Sequence, residues 1–376
     1  MKVRKNFCAM VCSLFIGCLI PCLGQVDDDL TDETKALFGH LKELQKSDRF
    51  LFGQEFFNSY RHPGNAHDDA TYSDAKSVVG HHPAVLGSDF HYYQGKHRTE
   101  KRWHTEAVKY AYNQGYVITF DWHLSARGTS TYKHSKATSS LVKNIIKNEN
   151  DDRAWLLEQL DTIIHIINND LVVNGVRIPI VFRPWHEMNK PWFWWGSSTT
   201  TTAEFKALYQ LTVTYIKERT NSVLFCWSPN APFGDDYYPG DDYVDVVGID
   251  LYEASISRVR TELGKLVDFA EHHNKIAVLA ETGDRRHGEN APLYWNNVIH
   301  PGIVGDQSKK SMRIAWVLTW INARWSGQFV PHRDSPSHVK ESFINFKNAA
   351  EVVFGGEDEM PSMYRRQDGM NGMKSQ

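Results

Sequence analysis

The 376-residue chain has little cysteine, and most of it lies at one end. Of five cysteines, Cys8, Cys12, Cys18 and Cys22 fall in the first two dozen residues, which leaves Cys226 alone in the remainder. No disulfide framework can staple the body of the chain, so a hydrophobic core must hold it. Excess positive charge is missing too: 42 Lys and Arg stand against 45 Asp and Glu, a net charge of −3. A phosphate-binding face needs the opposite balance, which argues against a nucleic-acid partner. No apolar run is long enough to span a membrane as a mature helix. The run from Phe7 to Ile20 follows Lys2, Arg4 and Lys5 and precedes "PCLGQ". That order predicts a signal peptide over residues 1–24, cleaved after Gly24, and export to the periplasm or the medium. "FIGC", ending at Cys18, is a weak lipobox and keeps a lipid-anchored form open.

A Gly-rich phosphate loop is also absent. The segment after the first apolar run, "GQEFFNSYRHPG", does not resemble one, which counts against an open doubly wound sheet. What the chain does have is a recurring alternation. Near-continuous apolar runs lie at 51–56, 84–90, 116–123, 178–187, 222–230, 244–253, 276–283 and 314–323, as in parallel strands buried on both faces. Helical periodicity fills 103–115, 151–175, 201–220, 255–275 and 337–354, while 231–243 reads as loop. Long segments at 124–150 and 322–340 read as loops bordering the mouth. Eight strands with mostly helical crossovers predict an α/β fold, a single (β/α)8 TIM barrel over residues 25–355. Residues 356–376, polar and rich in Gly and Met, are expected to form a flexible tail.

In such a barrel, function gathers where strands end. Those ends carry Gln54 and Glu55, Asp89 and His91, Asp121 and His123, and Arg183, His186 and Glu187; then Trp227 and Asn230, Asp250 and Tyr252, Glu281, and Trp320 and Asn322. Glu187 closes the fourth strand and Glu281 the seventh, so their carboxyls can face one another across the mouth. Two facing carboxyls are the minimum equipment for glycoside hydrolysis, one protonated to donate to the leaving oxygen and one ionised to attack. Twelve Trp are present, and Trp192, Trp194, Trp195, Trp227, Tyr252 and Trp320 offer flat faces for the C–H face of a pyranose. At least one of Trp194 and Trp195 is expected to be packing. Neither metal nor cofactor is expected. "HEMNK" has Lys190 where the zinc motif HExxH needs its second His, and "GHH" (80–82) and "EHH" (271–273) lie away from the strand ends.

"FRPWHEMNKPWFWWG", together with "VVGIDLY" and "LAETG", resembles glycoside hydrolase family 26, whose best-known members are β-mannanases. The resemblance runs over roughly residues 30 to 355. His186 directly before Glu187 fits this family, where most relatives in its clan have Asn. The resemblance implies that Glu187 is the acid/base and Glu281 the nucleophile, with Arg183 and Tyr252 orienting the nucleophile. His123 and His186 would contact the sugar at the cleaved unit, Trp192 would wall the scissile bond, and Trp320 would lie beneath the bound sugar. The expected enzyme is a retaining hydrolase of β-1,4-mannan, galactomannan or glucomannan, working as a monomer. Mixed-linkage β-glucan or xylan as the substrate remains an alternative within the family. A non-catalytic glycan-binding protein on the same barrel is the alternative outside it.

Overall fold

A computed structural model describes residues 24–64, 67–93, 98–358, 360 and 363–365. The expected leader, with its four cysteines, lies outside the described residues except for Gly24. Eight parallel strands form the barrel: β1 (Phe50–Glu55), β2 (Val85–Asp89), β3 (Val117–Asp121), β4 (Ile180–Arg183), β5 (Val223–Trp227), β6 (Val246–Tyr252), β7 (Ile276–Gly283) and β8 (Trp316–Thr319). Each strand pairs with the next in sequence, and β8 returns to β1 through Leu51↔Trp316 to Gln54↔Thr319, closing the sheet. The fold is the (β/α)8 barrel.

Why the strand sequences are apolar almost throughout follows from the two faces of the closed sheet. Leu51, Val85, Val117, Val181, Leu224, Val246 and Val278 belong to one buried cluster, which fills the barrel interior. Their alternate neighbours, among them Phe52, Leu86, Ile118, Phe182, Phe225, Val247 and Val317, belong to the cluster beneath the helices. Toward the mouth, the inward positions turn polar: Asp121 follows Val117 and Thr119, and Arg183 follows Val181.

The helices are α1 (Asp32–Lys46), α2 (Asp74–Val79), α3 (Arg98–Asn113), α4 (Leu141–Lys147), α5 (Asp152–His165), α6 (Thr202–Lys217), α7 (Ile256–His272), α8 (His300–Val304) and α9 (Ser337–Lys347). Between β5 and β6 there is only a single short turn, Asp241–Tyr243, as expected for that loop. Helix α1 precedes the barrel and closes its bottom, with Leu37, Phe38, Leu41 and Leu44 packed into the interior cluster. Two expected helices end early. The first stops at His165, then runs through a wider turn (Ile166–Asp170) into a hairpin of Val172–Val173 with Val176–Arg177. The other stops at Lys347, and Val352–Val353 instead pair alongside β1. The segment expected as loop at 124–150 contains α4.

Of the stretch expected as a flexible tail, residues 356–358, 360 and 363–365 are described, and some of them are docked. Met363 is fully buried in the interior cluster, the Tyr364 hydroxyl donates to the Tyr116 carbonyl, and His40 Nε2 lies 2.8 Å from the Arg365 carbonyl. An apolar Met and an amphipathic Tyr, set among polar neighbours, were enough to dock this stretch. Among the described residues no helix is long and apolar enough to cross a membrane.

Candidate active site

Two local irregularities set the geometry at the mouth. The first is in β7. Alternation that puts Val278 and Ala280 inside would send Glu281 outward. The register slips, however: Ile249 faces Leu279 while Asp250 faces Glu281, and on the other flank Val317 faces Leu279 while Thr319 faces Thr282. One extra residue in β7 therefore brings Glu281 into the barrel, the usual consequence of a bulge beside a functional site.

The second irregularity follows β4. Trp185 and Glu187 both take left-handed backbone conformations, with φ of 56° and 54°. For a residue with a Cβ this costs roughly 1–2 kcal/mol, so the surroundings must hold it. They do: Trp185 is buried with its indole N–H on Thr212 (3.0 Å), and the Glu187 amide donates to the Ser228 carbonyl (2.9 Å).

Both carboxyls open into one cleft of about 650 Å³, lined also by His123, His186, Trp192, Tyr252 and Trp320. Arg183 lines no part of it; it lies beneath the floor. The guanidinium grips Asp121 through Nε (2.8 Å) and Nη2 (2.7 Å), holds Asp250 through Nη1 (2.9 and 3.0 Å), and ion-pairs with Glu281 Oε1. Burial works against its charge, but Asp121, Asp250 and Glu281 outweigh that and lift its pKa well above the ordinary value. The other Glu281 oxygen accepts from the Tyr252 hydroxyl at 2.8 Å. With both oxygens tied, this carboxylate has one orientation. Arg183 is thus both a buried structural ion and the group that positions Glu281.

Glu187 is held differently. Its oxygens accept from the Trp192 indole (2.7 Å) and the Asn230 amide (2.6 Å), and among the described residues no cation pairs with it. Burial and the nearby charge of Glu281 raise its pKa, and the two hydrogen bonds offset only part of that rise. The site therefore has one carboxyl biased toward the protonated form and one held in an ion pair.

The histidines are set apart as well. His123 Nδ1 sits 2.6 Å from Asp89 Oδ2; burial alone would lower its pKa, yet Asp89 leaves it raised. His186, whose ring lies 4.7 Å from that of His123, is pushed well below the ordinary value by burial, Arg183 and His123, so it stays neutral. Asp121, His186 and Glu281 have ligand atoms within 4.8 Å of one another, close enough on distance alone for a metal ion. Arg183, paired to both of those carboxylates, already supplies a fixed positive charge there.

Of the aromatic faces expected for sugar binding, Trp192 (38% exposed), Tyr252 and Trp320 reach the cleft. Trp194, Trp195 and Trp227 do not: all three are fully buried. Trp194 donates to the Leu124 carbonyl (2.8 Å) and Trp195 to that of His186 (2.9 Å), so both brace the segment carrying Glu187. His91 is not in the cleft lining but bonds the His123 carbonyl at 3.1 Å. Some lining groups were not singled out from sequence. Tyr132 and Lys133 come from the loop after β3, whose backbone bonds Trp192 and Trp194; Trp325 comes from the loop after β8. Asp121, Asp250 and Asn230 were visible as strand-end polar residues, but not that the two aspartates share Arg183 with Glu281 while Asn230 bonds Glu187.

A (β/α)8 barrel with two carboxyls opening into an aromatic-lined mouth is an architecture of glycoside hydrolases. Residues 26–294 match the model of glycosyl hydrolase family 26, and the chain belongs to that family. It is 29% identical over 325 residues to a mannan endo-1,4-beta-mannosidase of Bifidobacterium adolescentis, covering 79% of this chain and 32% of that protein. The chain spans about half the length of similarly named relatives from Thermothelomyces thermophilus and Bacillus subtilis. Among solved structures, GH26C from a Muricauda species superposes with a TM-score of 0.80 at 29% identity, over 91% of this chain and 96% of that one. A family 26 β-mannanase from Bacteroides ovatus gives 0.78 at 27% identity, over 90% and 98%.

Proposed function

We propose that this protein hydrolyses β-1,4-mannosidic bonds in mannan, galactomannan or glucomannan with retention of configuration. The reading rests chiefly on one observation: two carboxyls in one cleft, Glu187 with a raised pKa and no cation partner among the described residues, Glu281 clamped by Arg183 and Tyr252. In the first step a Glu281 oxygen attacks the anomeric carbon while Glu187 gives its proton to the departing glycosidic oxygen. In the second, Glu187 takes a proton from water, the water oxygen attacks the same carbon, and Glu281 leaves as carboxylate. His123 and His186 offer ring nitrogens to the sugar hydroxyls, and Trp192 and Trp320 offer faces to its C–H surfaces. Every group in this scheme comes from one chain, so the scheme needs no residue from a second copy. The basic and apolar leader of residues 1–24 supports export.

The test is a product profile on linear and galactosylated mannan, with mixed-linkage β-glucan and xylan as controls, read alongside proton NMR of the first products. Release of mannooligosaccharides with the β-anomer appearing first is expected. Cleavage of glucan or xylan but not mannan would overturn the substrate assignment, and initial α-anomer would overturn the covalent mechanism.

A further inference from the structure

Asp89 ends β2 at the barrel mouth, is 4% exposed, and has no task in the scheme above. It stands apart from the Arg183 cluster, which Asp121, Asp250 and Glu281 share. Its contacts turn instead to one histidine. Oδ1 accepts from the backbone amides of His91 (2.8 Å) and His123 (3.1 Å), and Oδ2 lies 2.6 Å from His123 Nδ1. His91 in turn places its own Nδ1 3.1 Å from the His123 carbonyl, so the end of β2 holds both the ring and the backbone of His123. Burial opposes the charge on Asp89, yet His123, by charge and by hydrogen bond, outweighs it with help from His91 and leaves this carboxyl below its ordinary range.

An ionised carboxylate only accepts hydrogen bonds, so the proton of this contact sits on Nδ1. That leaves Nε2 as the other polar atom of the ring, and His123 lines the cleft beside Tyr132, His186 and Phe193. On a neutral ring with Nδ1 protonated, Nε2 is bare and accepts. On an imidazolium it donates. The groups around the ring decide between the two. Burial opposes the imidazolium, as does the positive charge of Arg183 on β4, but Asp89 from β2 outweighs burial, helped by Asp121 from β3 and Glu281 from β7. The neighbouring His186 and Tyr132 are both pushed by burial toward their neutral forms.

We propose that Asp89 is a positioning residue that keeps His123 an imidazolium, so that a charged Nε2–H donor, rather than a bare nitrogen, meets a sugar hydroxyl. This rests on the hydrolase reading given above. The two cleft histidines then offer the sugar different groups: His123 only donates, while neutral His186 can also accept. A charge-assisted bond is roughly twice as strong as a neutral one, so the His123 contact depends on the charge that Asp89 sustains.

The experiment pairs nitrogen NMR of histidine-labelled protein with kinetics on mannan, and uses His123→Gln to assign the signal. In wild type both ring nitrogens of His123 should be protonated at neutral pH. Asp89→Asn keeps an acceptor for Nδ1 but removes the charge, so the ring should titrate at lower pH. Its kcat/KM should fall roughly tenfold at and above neutral pH, the difference between a charged and a neutral donor bond, and recover toward wild type as acid restores the imidazolium. Asp89→Glu, which keeps the charge, should keep the wild-type titration. A residue that merely braces the fold would lower kcat/KM equally at every pH. That uniform loss, or a His123 titration unmoved in Asp89→Asn, overturns the proposal. A bare Nε2 in wild type at neutral pH overturns it without any variant. Wild-type protein inactive on mannan would instead overturn the hydrolase reading, while the NMR titration still reports on Asp89 and His123.

Discussion

In the proposed mechanism Glu187 and Glu281 carry the same side chain toward opposite duties, and their partners make the difference. Glu281 is in an ion pair with a guanidinium, whereas Glu187 accepts from an indole and an amide. Glu281→Ala should therefore abolish turnover of every substrate, since no covalent intermediate can form. Glu187→Ala should discriminate. An aryl mannobioside with a good leaving group needs no proton, so it should give a burst of phenolate and then stall. Azide, which attacks without base assistance, should restore turnover and yield a β-glycosyl azide. An α-azide from the Glu281 variant would reverse the two roles. The pH profile checks the same pair. The first step needs Glu187 protonated, so kcat/KM falls as pH rises through its raised pKa. Asn230 donates to its charged form and so holds that pKa down. Asn230→Ala should therefore move the alkaline limb to higher pH. A shift to lower pH would mean that Asn230 is not acting on Glu187.

The segment 183–196 shows how one short stretch divides its labour by depth. Trp194 and Trp195 are core, while Trp192 lies at the surface of the cleft. Trp194→Ala should cost about 3–5 kcal/mol of stability, as large-to-small changes in a packed core do. Trp192→Ala should leave the melting temperature nearly unchanged and lower kcat/KM by removing a face and a donor to Glu187. If both variants melt alike, the division is wrong. The sequence had no way to make this distinction, because an irregular loop has no period to separate an inward side from an outward one. Strands are easier to read. Both faces of β1 to β8 are buried, so each appears as an apolar run, and the polar residues ending it mark the mouth. The bulge that turns Glu281 inward left no mark in "LAETG", yet Glu281 could still be picked out from its place at a strand end. Helix α1 was legible in principle, from Thr31 as cap and Leu37, Leu41 and Leu44 on one face. It lies outside the strand–helix repeat, so a count of crossovers passes over it.

The two ends of the barrel do different work. The left-handed Trp185 and Glu187, the Arg183 ion pairs and the exposed Trp192 and Trp325 stand at the C-terminal mouth, while the opposite end is plugged by apolar side chains from outside the repeat. Helix α1 supplies most of that plug, and the chain's last described residues add Met363 to it. A chain that returns some 300 positions later to finish the same cluster as Leu37 (the separation of His40 from Arg365 is 325) ties these two segments together by packing and a hydrogen bond. Cys226, buried in that cluster, has no described partner cysteine. Stability and chemistry should then be separable. Met363→Ala should cost about 2–5 kcal/mol, the range for a buried Met truncated to Ala, and lower the melting temperature by several degrees. Its kcat/KM on mannan, measured well below the melt, should match wild type, because the mouth is braced by Trp185, Trp194 and Trp195 rather than by the plug. A melting temperature equal to wild type would mean that Met363 adds nothing to the plug. A stability loss accompanied by a proportional loss of kcat/KM at low temperature would mean that the plug and the mouth are mechanically coupled.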